Sequence, residues 1–438
     1  MTNSIRYYIK ELLHIAFPII LGNLGFILIG AGDVLIAGRH STDTLAAISI
    51  AAAITNCIHI FGVGLIASVA PLLSNYRGEK KSAKKYFYPT LRFAFMLAFV
   101  VMLVTLAVIP FIDLFKFEPH LVPMIKQYIF ITAFATFGGY LHVATKDFLQ
   151  AFEIVLFPNL LTFAGVVLNI LLNVILVFGW GPIPSLGVVG LAIASFVVRY
   201  FMGIVLLWYC FRLMRFNDYK DFNYYKQLIK IGLPISAAIL VEFVAFNIIS
   251  LAMGRVAGVY AAAQNLVCTL TTASFMVPFA ISNAIAVKVG FANGAENYCD
   301  LKTYSKVGIS MCIGFMACSA VVFACFPNEL VGLFTKDAEL IKICIPVIYV
   351  LAAFQIFDGL QVGLSGICKG IKKTSIVLKA NFFAYWVVSI PLGFSLAFKY
   401  GMGLIGFWIG LVVAAVCLCV IMTVLLVKYI RKVSTRVV

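Results

Sequence analysis

Three carboxylates stand inside long apolar stretches of this chain. Asp33 interrupts a run of Leu, Ile, Phe, Gly and Ala that extends from about residue 12 to residue 37, and Glu242 and Asp358 interrupt later runs. A lone carboxylate near the centre of a bilayer costs roughly 2.5 kcal/mol or more, so membrane proteins that carry such groups usually use them. The three acids therefore indicate a membrane protein in which carboxylates bind a cation or a proton, as in an ion-coupled transporter.

Neutral oxygen ligands accompany Asp33 in the first half of the chain. Asn169 and Asn173 are four residues apart on the fifth apolar span, so both side chains leave one face of a helix, and Ser195 on the sixth span reaches a similar depth. Carboxylate, amide and hydroxyl oxygens suit a small hard cation. The aspartate could instead take a proton, because burial favours the neutral form of a carboxyl group. A structural alternative is that the asparagines only bridge helices through hydrogen bonds.

Glu242 and Asp358, in the second half, are surrounded by aromatic residues. The flanking side chains are Phe243, Phe246, Phe354 and Phe357. Carboxylates beside aromatic faces suit organic cations, because charge attraction and cation–π contact act together. Taken singly, the phenylalanines also fit ordinary helix packing, and the two acids could be structural, with Lys369 or Arg199 as ion-pair partners. Arg199 lies near the middle of the sixth span, where it either faces an aqueous cleft or pairs with a buried acid.

The composition explains what must position these groups. The chain is 63% hydrophobic and 11% charged, whereas soluble domains carry about 25% charged residues. The apolar runs are long enough to cross hydrocarbon, which takes about 20 residues. Twelve runs are predicted to be membrane helices: about 12–38, 44–75, 87–112, 122–151, 156–180, 186–211, 228–254, 259–293, 304–326, 339–368, 374–398 and 403–427. No cleavable signal peptide is expected before the first.

The net charge of +16 follows the topology of a membrane protein. With the N-terminus placed in the cytoplasm, 25 of the 33 Lys and Arg residues lie on the cytoplasmic side and seven lie outside. This positive-inside bias predicts a multi-pass protein of the inner (cytoplasmic) membrane with both termini in the cytoplasm. It also argues against nucleic acid as a partner, and the protein is expected to be a monomer in the lipid bilayer.

The chain repeats itself with a constant shift of 216 residues. Pro18 matches Pro234, Gly38-Arg39 matches Gly254-Arg255, and Gly187 to Gly190 matches Gly403 to Gly406. Each half then holds six spans and has the same orientation, as in parallel-repeat transporters. The predicted fold is an all-α polytopic membrane protein of twelve helices in two six-helix lobes. The N-lobe is predicted at residues 1–211, a cytoplasmic linker at 212–230 as a surface helix or strap, and the C-lobe at 231–438.

The full-length pattern resembles the MATE family of multidrug and toxin extrusion transporters, in its NorM-like branch. The resemblance is carried by FPIILGNLGFILIGAGDVLIAG, KDFLQAFEIVLFPN, NILLNVILVFG and GLPISAAILVEFVAF followed by AAAQNL. It implies two six-helix lobes around a V-shaped cleft, drug efflux, and coupling to sodium or protons.

The resemblance also implies roles for individual residues. Glu242 and Asp358 stand where this branch has its C-lobe acids. Asp33, Asn169 and Asn173 stand at the N-lobe cation site, with Ser195 at a hydroxyl position. Two departures leave the coupling ion open: Phe354 where relatives can carry a tyrosine, and the additional charge of Arg199.

The sequence hypothesis is an antiporter that exports small organic cations or other drugs in exchange for Na⁺ or H⁺, with no further cofactor. Na⁺ is expected at Asp33, Asn169 and Asn173, or at Glu242 and Asp358. One alternative is a flippase for lipid-linked oligosaccharides or polysaccharides, and another is a non-transporting membrane receptor or scaffold. An enzyme is disfavoured because the sequence shows no nucleophile–base pair and no metal-ligand cluster.

Overall fold

The computed structural model describes residues 4–182, 184–216 and 219–434, and these form helices joined by short connections. The helices of the first half are α1 (Ile5–His40), α2 (Thr42–Ile66), α3 (Val69–Gly78), α4 (Phe87–Val108), α5 (Leu121–Ala151), α6 (Leu156–Phe178) and α7 (Gly187–Leu213). Those of the second half are α8 (Phe222–Val256), α9 (Gly258–Gly294), α10 (Tyr298–Cys325), α11 (Pro327–Gly332), α12 (Ala338–Gly370), α13 (Ser375–Phe382), α14 (Ile390–Phe394) and α15 (Gly403–Ser434). The predicted all-α class is confirmed.

Twelve helical segments in the described ranges are long and apolar enough to cross a membrane, which confirms the predicted number of spans. α2 and α3 together form one of them, and the segment Ser375–Lys399 forms another. The first membrane span, α1, begins at Ile5, and the seventh span, α8, begins at Phe222. Both begin earlier than the predicted starts at about 12 and 228. Hydropathy marks where a chain enters hydrocarbon, whereas helical hydrogen bonds extend into the polar boundary of the bilayer.

The internal repeat is visible in the helix boundaries. The second span runs from Thr42 to Gly78 and its counterpart runs from Gly258 to Gly294, so both ends are displaced by 216 residues. Gly187 and Gly403, at the starts of α7 and α15, have φ of +52° and +56°. Glycine adopts this left-handed backbone without the steric cost that a Cβ imposes, so the same turn geometry starts the last helix of each half.

The helices form two compact units. The N unit comprises Phe17–Arg77 and Lys81–Ser236; the C unit comprises Gly78–Lys80, the described residues up to Ala16, and those from Ala237 onward. The division therefore falls within α1 and α8, whereas the predicted lobes divide at 211 and 231. Residues 1–3, 183 and 435–438 of the predicted lobes, and 217–218 of the predicted linker, lie outside the described residues.

Side-chain contacts account for the placement of the first turns of α1 in the C unit. The Tyr8 hydroxyl donates to Asp300 Oδ1 over 2.6 Å. The Lys288 ammonium donates to Glu11 Oε2 over 2.5 Å, and the Lys288 side chain is only 8% exposed. Polar groups that leave water in this way require their partners, so these contacts fix the start of α1 to α9 and α10.

The first turns of α8 belong to the N unit, where a buried hydrogen bond and a close backbone contact hold them. Tyr224 is fully buried and its hydroxyl lies 2.7 Å from the Thr90 hydroxyl on α4. A Cβ on Gly232 would lie 2.6 Å from the Leu65 carbonyl oxygen, so the two backbones approach more closely than any other residue allows. Residues 222–230 therefore begin the seventh membrane helix instead of forming a separate surface helix, and the described residues of the connector, 214–216 and 219–221, are non-helical.

Candidate functional site

The N unit brings together the four polar residues predicted around Asp33. Asn173 on α6 donates from Nδ2 to Asp33 Oδ1 over 2.6 Å. Ser195 on α7 donates from Oγ to Asp33 Oδ2 over 3.4 Å. Asn173 Nδ2 also lies 3.1 Å from Asn169 Oδ1, which accepts a second hydrogen bond from it. Helices α1, α6 and α7 thus meet at one carboxylate.

The amide groups of this site keep unused hydrogen-bonding capacity. Asn169 and Asn173 are fully buried. Among the described residues, Asn173 Oδ1 and Asn169 Nδ2 have no hydrogen-bond partner. A buried polar atom without a partner costs about 1–3 kcal/mol. Asn173 Oδ1 is thus a buried oxygen without a partner beside a carboxylate. A small cation bound at this site would be coordinated by both groups.

An apolar core supports the site on one side. Ile36, Val177 and Leu191 each lie about one turn from a polar member of the site, on α1, α6 and α7 respectively. All three are buried and belong to one cluster that also includes Tyr128 of α5. Packing of this kind fixes the rotamers of the helices that carry the polar groups and excludes water from that side of Asp33.

Arg199 lies one turn beyond Ser195 on α7 and is half-buried. Its Cδ would lie 3.6 Å from a Cβ on Gly139, so the side chain passes over α5. Arg199 is within electrostatic range of Asp33 and His59. Within the described ranges, however, no nitrogen of Arg199 comes within 4.0 Å of a carboxylate oxygen. The sequence left two alternatives for Arg199, an aqueous cleft or an ion pair with a buried acid. In this structure Arg199 does not form an ion pair with Asp33.

The C unit places Glu242 and Asp358 in a second polar site. The Tyr385 hydroxyl donates to Glu242 Oε1 over 2.9 Å. Gln361 on α12 donates from Nε2 to the same hydroxyl over 3.5 Å. Asp358 is 2% exposed and lies within electrostatic range of Glu242 and Tyr385. Two carboxylates in one buried site repel each other, which favours binding of a cation or a proton between them.

One face of α12 supplies unpartnered oxygen atoms to this second site. Gln355, Asp358 and Gln361 are three residues apart in succession, so they lie on one side of the helix. In the described part of the chain, Asp358 Oδ2, Gln361 Oε1 and both polar atoms of the Gln355 amide lack hydrogen-bond partners. Asp358 Oδ2 and Gln361 Oε1, together with Glu242 and Tyr385, form a donor set suited to a hard cation.

The four predicted phenylalanines have different surroundings. The ring of Phe246 lies 6.3 Å from Tyr385 and 6.2 Å from Trp408, measured between centroids. Phe354 is 1% exposed, and its ring packs edge to face against Trp408 at 5.8 Å. Phe243 and Phe357 are half-buried. The rings of Phe246 and Phe354 therefore both pack against the same residue, Trp408.

Sequence reasoning missed Tyr385, Gln355 and Gln361. The two glutamines could have been found, because they are one turn before and one turn after Asp358 on the same helix. Tyr385 gives no such signal, since it lies 143 residues from Glu242. It belongs to a π-helical stretch, Phe383–Ser389, that ends shortly before Pro391. π-helical turns are rare and concentrate at functional sites.

Comparison with known proteins agrees with this architecture. The MatE family model matches residues 18–175 and 234–395, and the two matches begin 216 residues apart, like the internal repeat. The chain is 26% identical over 422 residues to a probable multidrug resistance protein NorM of Bacillus subtilis, covering 94% of this chain and 93% of that protein. It is 28% identical over 454 residues to a probable NorM of Rhizobium meliloti, covering 99% and 96%.

Solved structures share the fold. A eukaryotic MATE transporter superposes with a TM-score of 0.87 at 20% identity, covering 100% of both chains. A MATE transporter of Vibrio cholerae superposes with a TM-score of 0.91 at 18% identity, covering 98% of this chain and 99% of the other. Together with the family match over both halves and the twelve candidate spans, these similarities establish that the chain is a multi-pass membrane transporter, not an enzyme, and belongs to the MatE family.

Proposed function

We propose that this transporter exports organic compounds, cationic ones above all, by antiport with Na⁺ or H⁺. The observation that carries the proposal is that each unit contains a buried or half-buried carboxylate beside at least one buried oxygen atom without a hydrogen-bond partner among the described residues: Asn173 Oδ1 in the N unit, and Asp358 Oδ2 and Gln361 Oε1 in the C unit. Relatives of similar length are named as multidrug resistance proteins. No role in nucleic-acid binding or catalysis accounts for polar groups held at this cost inside membrane helices.

The N-unit site supplies the coupling step in this proposal. A cation or proton at Asp33 neutralises the charge of the carboxylate. It also gives Asn173 Oδ1, which has no hydrogen-bond partner among the described residues, a partner. It thereby stabilises the conformation in which α1, α6 and α7 converge. A ligand shifts a conformational equilibrium only through its different affinity for the two states. One elementary charge crossing about 100 mV contributes roughly 2.3 kcal/mol to this exchange.

The C-unit site combines charge with aromatic surface. Glu242 and Asp358 carry the negative charge, and Phe246 lies beside Tyr385 and Trp408. An organic cation gains both charge attraction and cation–π contact in such surroundings. The same carboxylates could bind the coupling ion, so drug and ion would compete for one site or bind in opposite states of the transporter.

The distribution of basic residues supports the proposed orientation in the cytoplasmic membrane. Lys80, Lys81, Lys84 and Lys85 follow the second span. Arg212 lies in the last turn of the sixth span, and Arg215 follows that span. A basic loop is retained on the cytoplasmic side during insertion. Both described ends of the chain then face the cytoplasm, and substrate is taken from that side.

Transport into proteoliposomes tests the proposed function. Ethidium uptake is measured under a sodium gradient alone and under a proton gradient alone, each with and without the matching ionophore. We expect uptake to follow one of the gradients and to stop when the ionophore collapses it. Uptake that equals that of protein-free liposomes under both gradients would contradict antiport and favour a receptor or scaffold.

A matched set of carboxylate variants assigns the effect to the two sites. Glu329 is an exposed acid of α11 in the C unit, so Glu329→Gln removes one charge without touching either site. We expect this variant to transport like the unmodified protein. Asp33→Asn, Glu242→Gln and Asp358→Asn are expected to lose gradient-driven uptake.

A further inference from the structure

Arg199 on α7 is a positive charge inside the sixth span that has neither an ion pair nor a hydrogen bond within the described ranges. The residue is half-buried. An arginine inside a membrane helix is costly to insert, and such residues nearly always pair with another group or face water. A guanidinium with five donors and no acceptor among its neighbours is therefore expected to bind a carboxylate in another state of the protein.

The helical spacing places Arg199 next to the cation site. Arg199 and Ser195 are four residues apart on α7, so their side chains leave one face of the helix. Ser195 already reaches the site, because its hydroxyl donates to Asp33 Oδ2. One turn of helix is about 5.4 Å long, and an extended arginine side chain is longer than that. A change of rotamer is therefore enough to bring the guanidinium to Asp33 Oδ2.

The two carboxylate oxygens of Asp33 are bound unequally. Oδ1 accepts from Asn173 Nδ2 over 2.6 Å, whereas Oδ2 accepts from the Ser195 hydroxyl over 3.4 Å. Hydrogen bonds between two oxygens are usually about 2.7–2.8 Å long, so the contact with Ser195 is weak. A charged guanidinium is a stronger donor to a carboxylate than a neutral hydroxyl is. Oδ2 is thus the oxygen that Arg199 would bind.

Asp33 is also the acid in the surroundings of Arg199. The groups of the N unit within electrostatic range of the guanidinium include Asp33, His59, Tyr128 and Tyr140. An imidazole is neutral or positive, and a tyrosine hydroxyl keeps its proton at neutral pH. Of these four groups, Asp33 alone offers a negative charge to the guanidinium.

The backbone of α7 is held against α5 at this position. A Cβ on Gly138 would lie 2.9 Å from the carbonyl carbon of Arg199, and a Cβ on Gly203 would lie 2.8 Å from the carbonyl oxygen of Gly138. The Arg199 side chain passes over Gly139, which has no side chain to hold it. The guanidinium can therefore change its position through the arginine rotamers while the two helices stay packed.

We propose that Arg199 is a tethered cation that competes with the coupling ion for Asp33. With Na⁺ or H⁺ bound, Asp33 keeps its contacts with Asn173 and Ser195, and the guanidinium lies over α5. Without the ion, the guanidinium binds Asp33 Oδ2 and neutralises the carboxylate. This competition lowers the affinity of Asp33 for the ion and favours release of the ion into the cytoplasm. The inference rests on the proposed binding of a cation at Asp33 and adds a regulator to that site.

Thermal unfolding in detergent tests the pair without any transport step. Arg199→Gln, Asp33→Asn and the double variant are compared in sodium-free buffer at alkaline pH, which supplies neither coupling ion. Because each single change breaks the same ion pair, we expect the effects on the midpoint to be non-additive, with the double variant no less stable than the less stable single variant. In saturating NaCl or at acidic pH, whichever supplies the coupling ion, Arg199→Gln should have the midpoint of the unmodified protein.

The apparent affinity for the coupling ion is a second readout, which a purely structural arginine would not change. We expect Arg199→Gln to lower the concentration of Na⁺ or H⁺ for half-maximal ethidium uptake at least tenfold, because the competing group has been removed. Arg199→Lys keeps the charge and should lie closer to the unmodified protein. Arg212→Gln is the matched control, since Arg212 is an exposed arginine in the last turn of the same helix and should leave this concentration unchanged.

The outcomes separate this inference from the proposed function. Additive effects in the double variant would overturn the inference and leave cation antiport intact, as would an unchanged half-maximal concentration in Arg199→Gln. Absence of ethidium uptake by the unmodified protein under both gradients would instead contradict antiport. The unfolding measurements would in that case still decide whether Arg199 and Asp33 form a pair.

Discussion

The Tyr385 hydroxyl donates a 2.9 Å hydrogen bond to Glu242 Oε1, and this contact joins α8 to the π-helical stretch Phe383–Ser389. The hydroxyl also accepts from Gln361, so it connects the glutamate to the helix that carries Asp358. Tyr385 thus orients one of the two acids of the C unit relative to the other. A hydroxyl in this position can also serve as a cation ligand.

Tyr385→Phe tests that role. The change removes the donor and keeps the ring that packs beside Phe246. Because a hydrogen bond to a charged group contributes about 1.5–3 kcal/mol, we expect the concentration of coupling cation for half-maximal transport to rise at least tenfold. The measurement is initial uptake of ethidium against the concentration of Na⁺ or H⁺. Tyr349→Phe is the control, because Tyr349 is 52% exposed in the same unit.

Asp33→Asn should abolish gradient-driven transport, since it keeps the shape of the side chain and removes the charge that a cation or proton needs. Substrate binding in detergent should survive at least in part. Asn173→Ala should be milder, because the loss of a neutral ligand weakens a cation site without removing its charge. Dye counterflow and equilibrium binding are compared for each variant. Coupling retained by Asp33→Asn would place the energising site at Glu242 and Asp358.

Glu242→Gln and Asp358→Asn should each weaken drug export by tenfold or more while protein levels in the membrane stay near normal. The expectation rests on Asp358 Oδ2 having no partner in the described residues and on Glu242 having Tyr385 as its donor. Drug resistance of cells and the amount of protein in isolated membranes are measured together. Full resistance in both variants would make these acids structural.

Labelling with membrane-impermeant thiol reagents tests the orientation on a background without cysteines. Single cysteines replace exposed lysines on either side of the predicted membrane. Positions 81, 220 and 373 are expected to react only after the membrane is opened, and positions 116 and 399 to react in intact cells. External labelling at position 220 would contradict an even number of spans in the first half.

The N-unit site was accessible to sequence reasoning because its geometry is local. Asn169 and Asn173 share a helix face by their spacing alone, and Asp33 and Ser195 were found as polar residues at similar depth in apolar spans. Helix geometry and membrane thickness then fix how far each group lies along the bilayer normal. These constraints predict that the four residues lie together, and the structure has hydrogen bonds among them, whereas their role in binding a cation stays a prediction.

The C-unit site was predicted only in part, because part of it depends on packing between distant helices. Nothing in the spacing of residues around Tyr385 indicates which face of a π-helical segment turns toward Glu242. Helical periodicity at 3.6 residues per turn gives the wrong face there, since a π-helical turn inserts an additional residue. Phe354 has no hydroxyl, and the hydroxyl that contacts Glu242 comes from Tyr385 in the π-helical stretch.

Tyr8→Phe should destabilise the C unit by about 1–2 kcal/mol, because it removes a hydrogen bond to Asp300 without changing the packing of the ring. Thermal unfolding in detergent should show a lower midpoint. Tyr7→Phe is the matched control: Tyr7 is 44% exposed and its ring touches that of Tyr8. Identical midpoints for the two variants would show that this hydrogen bond does not hold the start of α1.

The assignment of the first turns of α1 to the C unit has a consequence for biosynthesis. Glu11 and Tyr8 find their partners at Lys288 and Asp300, which leave the ribosome only when about two thirds of the chain has been made. Until then the first turns of α1 have no partners for Tyr8 and Glu11, so these side chains stay in water at the membrane surface. A chain released after the sixth span would therefore lack both the anchor of its own first helix and the turns of α8 that complete the N unit.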